Sequence, residues 1–142
     1  MGLHPSPVLT TTQQVELTGV ACTSTDRCFA SGSNGGSGNT GFVATILGGS
    51  LGAPDYGHGV SVHGLGSIAC RGTDCWATGS VLNGGTFGAM AGAIYPVVSG
   101  APMGAIAAPR TYSLPAIAMM GKLVIAAVNT LEPHRCGVVV LG

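Results

Sequence analysis

The chain has 142 residues, enough for one ordinary domain with a buried core. Its formal net charge is zero, and charged residues make up only 7%, against roughly a quarter in an average soluble domain. Arg27, Arg71, Arg110 and Arg135 stand apart and form no basic stripe, which excludes an electrostatic case for nucleic acid or an anionic membrane.

The 25 glycines are interspersed with Ser, Thr, Asn and Pro between short apolar runs, and helix formers are nearly absent. That mixture predicts many short strands joined by tight turns. The uncharged stretch from Cys75 to Pro109 is long enough for a membrane span. It is interrupted by Asn83, Gly84, Gly85, Pro96, Gly100, Pro102 and Gly104, which would break a helix in lipid, so no span is expected. Met1 to Pro5 show neither the basic nor the apolar region of a signal peptide, so an export signal is expected outside this chain.

In chain order, a strand is expected over Pro7 to Glu16, followed by a repeating unit. Leu17-Thr18-Gly19-Val20-Ala21-Cys22 returns 48 residues later as Leu65-Gly66-Ser67-Ile68-Ala69-Cys70. It returns again, eroded, as Leu114-Pro115-Ala116-Ile117-Ala118-Met119. A second strand follows a polar turn: Cys28-Phe29-Ala30-Ser31-Gly32-Ser33, then Cys75-Trp76-Ala77-Thr78-Gly79-Ser80, and in the third copy Val124 to Val128. Third strands are expected at Gly41 to Leu47, Ala89 to Val98 and Cys136 to Leu141, and looser fourth pieces at Leu51 to His63 and Ala101 to Tyr112. The expected fold is all-β: three four-stranded antiparallel repeats of about 48 residues in a single domain over 1–142. The repeats are set at 17–64, 65–113 and 114–142, the last completed by 5–16. Apolar residues on both faces of these strands predict sheets covered on both sides.

The cysteines carry a resemblance. Cys22-x5-Cys28-Phe-Ala-Ser-Gly and Cys70-x4-Cys75-Trp-Ala-Thr-Gly resemble the "IAC…C-x-A-x-G" blade motif of actinobacterial-type exported repeat proteins, and Ala93 to Pro102 resembles the strand and turn that follow it. The resemblance implies four-stranded β-propeller blades; a β-trefoil, also three four-stranded repeats, is the alternative. Three blades cannot close a ring. The chain is therefore expected either to self-associate, two copies giving a six-bladed ring, or to belong to a longer propeller.

Cys22 with Cys28, and Cys70 with Cys75, flank tight turns between adjacent strands, so two local disulfides are expected, each contributing about 2 kcal/mol. They point to an oxidising compartment and hence a secreted or cell-surface protein. Met119 and Val124 replace the pair in the third copy, and Cys136 is left to be buried in a strand or to pair between chains. The cysteine spacings fit zinc poorly, and no metal or cofactor is expected.

Gly36 to Gly41 matches GxGxxG and Gly48 to Gly52 matches GxSxG, but neither is followed by a helical pattern, so both are expected to be turns. Asp26 and Asp74 fall in equivalent turns, where aspartate usually bonds to its own backbone. Phe29, Trp76 and Tyr95 are expected to pack between repeats. No catalytic residues are assigned. The local grouping of Asp55, Tyr56, His58 and His63 is the binding-site candidate. A non-catalytic extracytoplasmic binding or structural module is expected, with a glycan or protein as ligand. A hydrolase or lyase on a propeller scaffold and a lectin-like carbohydrate-binding domain are the alternatives.

Overall fold

A computed structural model describes residues 15–35, 40–57, 62–82, 90–108, 111–130 and 135–142. These residues are all-β, in three antiparallel sheets that follow one another along the chain. Sheet 1 is a meander of β1 (Val15–Cys22), β2 (Arg27–Asn34), β3 (Thr40–Leu47) and β4 (Ser50–Asp55). Sheet 2 contains β5 (Ile68–Arg71), β6 (Asp74–Leu82), β7 (Met90–Val98), β8 (Ala101–Pro102) and β9 (Ile106–Ala108). Sheet 3 contains β10 (Thr111–Met120), β11 (Leu123–Thr130) and β12 (Cys136–Leu141). The described residues form no closed barrel or propeller ring.

Two-residue turns close four of the described hairpins and repeat with the sequence, whereas Thr23 to Asp26 join β1 to β2. Gly48 and Gly49 join β3 to β4 at φ 53° and 82°, and Ser99 and Gly100 join β7 to β8 at φ 52° and 83°. These left-handed pairs match the twist of the strands they connect, which is why glycine dominates there. Gly72 and Gly121 open the equivalent turns of β5–β6 and β10–β11. The GxSxG match at Gly48 to Gly52 is thus a hairpin turn and the start of β4; of the GxGxxG match, 36–39 lie outside the described residues.

The expectation of four strands per repeat is corrected in sheet 2. In sheet 2 the fourth position is split: β8 pairs with the end of β7, the Met103 amide returns to the Pro96 carbonyl at 2.8 Å, and pairing resumes at β9. Pro102, with no amide hydrogen to donate, ends the first piece. In sheet 3 three strands are described. Of the strand expected over 7–16, all but Val15 and Glu16 lies outside the described residues, and those two begin β1 opposite Asn34 and Ser33. Pro115 coincides with the register shift that interrupts β10.

Sheet 2 lies between the other two. Phe29 and Val43 of sheet 1 share one core cluster with Ile68, Cys75, Ala77, Ala93, Tyr95 and Val97 of sheet 2. Ile94 and Trp76, on the opposite face of sheet 2, pack with Leu114, Val124, Ala126 and Val128 of sheet 3. Only the middle sheet has a described sheet against both faces. In sheet 1, β2 from Phe29 to Asn34 and β3 from Gly41 to Ala44 are nonetheless buried on both faces, whereas Val138 and Val140 are exposed on the far face of sheet 3, which corrects the expectation for sheet 3. Among the described residues no buried side-chain nitrogen or oxygen lacks a hydrogen-bond partner, and no helix is long and apolar enough to cross a membrane.

Both expected disulfides are present, Cys22–Cys28 and Cys70–Cys75, each between residues directly opposite one another in a hairpin. Cys136 opens β12 as a free, exposed thiol, so its expected burial in a strand is corrected. It pairs with Asn129, and the ladder places it on the face of sheet 3 turned away from sheet 2.

Candidate functional site

The grouping of Asp55, Tyr56, His58 and His63 is taken up by structure where it is described. Asp55 ends β4, and its carboxylate accepts the Gly57 amide at 2.8 Å, closing its own turn. The Tyr56 ring meets Phe42 edge-on with centroids 5.7 Å apart, and its hydroxyl lies 3.4 Å from Asn34 Nδ2. His58 lies outside the described residues. His63 sits not on an outer strand but on the crossover from sheet 1 to sheet 2, with isolated bridges to Thr40 on one side and Ser80 on the other.

That crossover explains why residues near His63 look chemically rich. The Gly41 amide donates to the Val62 carbonyl at 2.9 Å, the Ser80 amide to His63 at 3.1 Å, and the Gly66 amide to Thr78 at 2.7 Å. Ser31 Oγ donates to the Gly66 carbonyl at 2.6 Å, and Thr18 Oγ1 lies 2.6 Å from the Leu65 carbonyl oxygen. The polar side chains here satisfy a backbone that passes between two sheets, as burial demands. Tyr95 serves the same end, donating its hydroxyl to the Ser80 carbonyl at 2.5 Å. Burial pushes the Tyr95 phenol above its ordinary value, opposed by a hydrogen bond with the His63 backbone.

Open clefts lie at the other end of the sheets, beside the disulfide-closed hairpins. A cleft of about 800 Å³ separates sheets 2 and 3, and its walls include Arg71, Asp74, Trp76, Val98, Met119 and Lys122. Trp76 is half-buried, one part of it in the sheet 2–sheet 3 core. Arg71 leans across the gap: a Cβ built on Gly121 of the facing turn would lie 3.3 Å from Arg71 Nη1. A smaller cleft of about 360 Å³ between sheets 1 and 2 has Arg27 and Phe29 on one wall and Thr73, Asp74 and Val98 on the other. Phe29 is the repeat counterpart of Trp76, so the two clefts are versions of one feature.

The sequence singled out Trp76, Phe29 and Tyr95 only as packing residues. Phe29 and Tyr95 are indeed core, but Trp76 also faces the larger cleft. Lys122 gave no signal, because its place on the same cleft as Trp76 depends on how the sheets stack. Asp26 accepts the Ser24 hydroxyl at 2.7 Å within its own turn, whereas Asp74 lies on the walls of both clefts. Among the described residues no group of three or more His, Cys, Asp or Glu side chains converges as a metal site requires. No protein-family model, no curated protein and no solved structure matches the chain.

Proposed function

We propose that the chain is a run of β-propeller blades from an extracytoplasmic protein, and that it acts as a non-catalytic binding module whose ligand occupies the cleft between sheets 2 and 3. The observation that carries the site is the placement of Trp76 on the walls of that cleft, which also carry two cations, Arg71 and Lys122, against one carboxylate, Asp74. An aromatic face offers a platform for the apolar side of a ring, and the cations offer charge-assisted hydrogen bonds. Together they suit a carbohydrate that carries an acidic group. The paired disulfides support a location in an oxidising compartment.

A glycan array that includes acidic sugars tests this reading. Binding should quench the fluorescence of Trp76, the chain's single tryptophan, and Arg71→Ala should weaken it about 10-fold, as expected for one lost charge-assisted contact. A blank array removes the cleft assignment. Turnover of any bound glycan overturns the non-catalytic one.

A further inference from the structure

The three sheets present their faces in a fixed order. Sheet 1 turns Phe29, Ser31 and Val43 toward sheet 2, and sheet 2 turns the counterparts Trp76, Thr78 and Ile94 toward sheet 3. In sheet 3 the same ladder positions hold Ile125, Ala127 and Val138, and they face nothing described in this chain. The receiving faces are equally ordered. Sheet 2 receives sheet 1 on Ile68, Cys75 and Ala77, and sheet 3 receives sheet 2 on Ile117, Val124 and Ala126. Their counterparts in sheet 1 are Val20, Cys28 and Ala30, on the face turned away from sheet 2.

Exposure shows what each open face lacks. Val43 and Ile94 are 0% and 1% exposed, whereas Val138 at the same ladder position is 64% exposed. Ile68 is 6% exposed, whereas its counterpart Val20 is 63% exposed. Leu17 beside Val20, and Val140 beside Val138, are also half exposed. The presenting end of the stack is thus apolar and open at sheet 3, and the receiving end is apolar and open along β1 of sheet 1. Across β2 and β3 the receiving face is already covered: Ala30 is 2%, Phe42 1% and Ala44 2% exposed, with the Tyr56 ring against Phe42. Neither open region carries a charge that would oppose a match, since Glu16 belongs to the other face of β1 by alternation with Leu17.

We infer that the open face of sheet 3 around Val138 docks on the open face of sheet 1 around Val20 of a second copy of this chain, head to tail. At Val20 the contact repeats the place that Ile68 and Ile117 take in the two contacts the chain already makes within itself, and this is the ground for choosing a second copy over any other occupant. A heterologous contact of this kind either closes or propagates. Two chains give six sheets, a number within the range at which such stacks close into rings. The inference rests on reading the sheets as consecutive blades.

Complementary charges test it, in a Cys136→Ser background that removes the free thiol. Sedimentation of the parent should give a two-chain particle. Val138→Asp and Val20→Lys should each lower the association constant by at least about 100-fold, because each buries an unpaired charge in every contact of the ring. A mixture of the two variants should recover the two-chain particle, since the mixed ring sets the aspartate of one variant against the lysine of the other and leaves the second contact unmodified. A monomeric parent, a Val20→Lys chain that still dimerises through sheet 3 alone, or a mixture that stays monomeric each overturns the docking. Trp76, half-buried between sheets 2 and 3, reports the internal stack separately: emission shifted to the blue of the urea-unfolded chain in a monomer rejects the docking and keeps the blades, whereas emission in the parent equal to that of the urea-unfolded chain rejects the blades themselves. Should a variant fail to fold, thiol labelling of Cys136 in the unaltered chain decides. Labelling that slows as protein concentration rises supports the contact, and a concentration-independent rate overturns it.

Discussion

The β5–β6 and β10–β11 hairpins are the same structure closed in two ways. Each has a glycine-led two-residue turn, and each places one residue pair at the same register beside it. In the first hairpin that pair is the Cys70–Cys75 disulfide, on the face toward sheet 1. In the second it is Met119 and Val124, on the face toward sheet 2, packed in the cluster that holds Ile94 and Trp76. A covalent tie is local and holds whether or not the neighbouring sheet is present, whereas an apolar pair holds only while the neighbour covers it. Sheet 3 is therefore stable by virtue of sheet 2, and sheets 1 and 2 carry part of their stability themselves.

The largest expected effect comes from removing what sheet 3 leans on. Ile94→Ala deletes a fully buried side chain and should cost about 3 kcal/mol in urea unfolding. Amide exchange should show β10 to β12 losing protection before β1 and β2; equal losses in all three sheets would break the contrast. Next in size is exchange of the closures themselves. Cys70→Ala with Cys75→Ala should cost about 2 kcal/mol, and Met119→Cys with Val124→Cys should return a similar amount when oxidised. The gain should vanish on reduction, and a pair that refuses to form a bond would mean the two hairpins are not equivalent.

The smallest effect concerns Tyr95, which has Ala44 and Val139 as counterparts and so belongs to the middle sheet alone. Tyr95→Phe removes the hydrogen bond to Ser80 and should cost about 1 kcal/mol. Because burial raises the phenol above its ordinary value of 10.0, the folded state holds the proton more tightly than the unfolded chain does. That contribution is complete below the unfolded value and declines as pH rises through the folded one. Ultraviolet titration should show one late-ionising tyrosine, absent in Tyr95→Phe, and the variant should lose less stability than the parent above pH ~10.

Much of this was legible because it is local. The disulfide pairs and the glycine turns depend on residues a few positions apart, and a hairpin brings such residues together wherever the sheet lies; the three-fold recurrence is visible because each copy repeats the same local pattern. The candidate cluster was read from the same closeness in sequence. Asp55, Tyr56 and His63 are close in sequence, yet Asp55 closes a turn, Tyr56 packs on Phe42, and His63 marks a backbone crossover. The cleft with Arg71, Trp76 and Lys122 joins residues about 50 positions apart on two sheets, a separation that no motif spans.

By itself the sequence determined that the chain is all-β, where its hairpins turn and which cysteines bond, since apolar patterning, turn chemistry and short loops act within each hairpin. Only the tertiary structure decided that sheet 2 is the covered middle, that Pro102 splits the last strand of sheet 2, and that Cys136 is exposed. It also decided that apolar residues stay exposed along β1 at one end of the stack and on the far face of sheet 3 at the other. Strands that are apolar on both sides state that each face needs a partner. Which faces find one depends on the order and number of the sheets, and that is settled only when they pack.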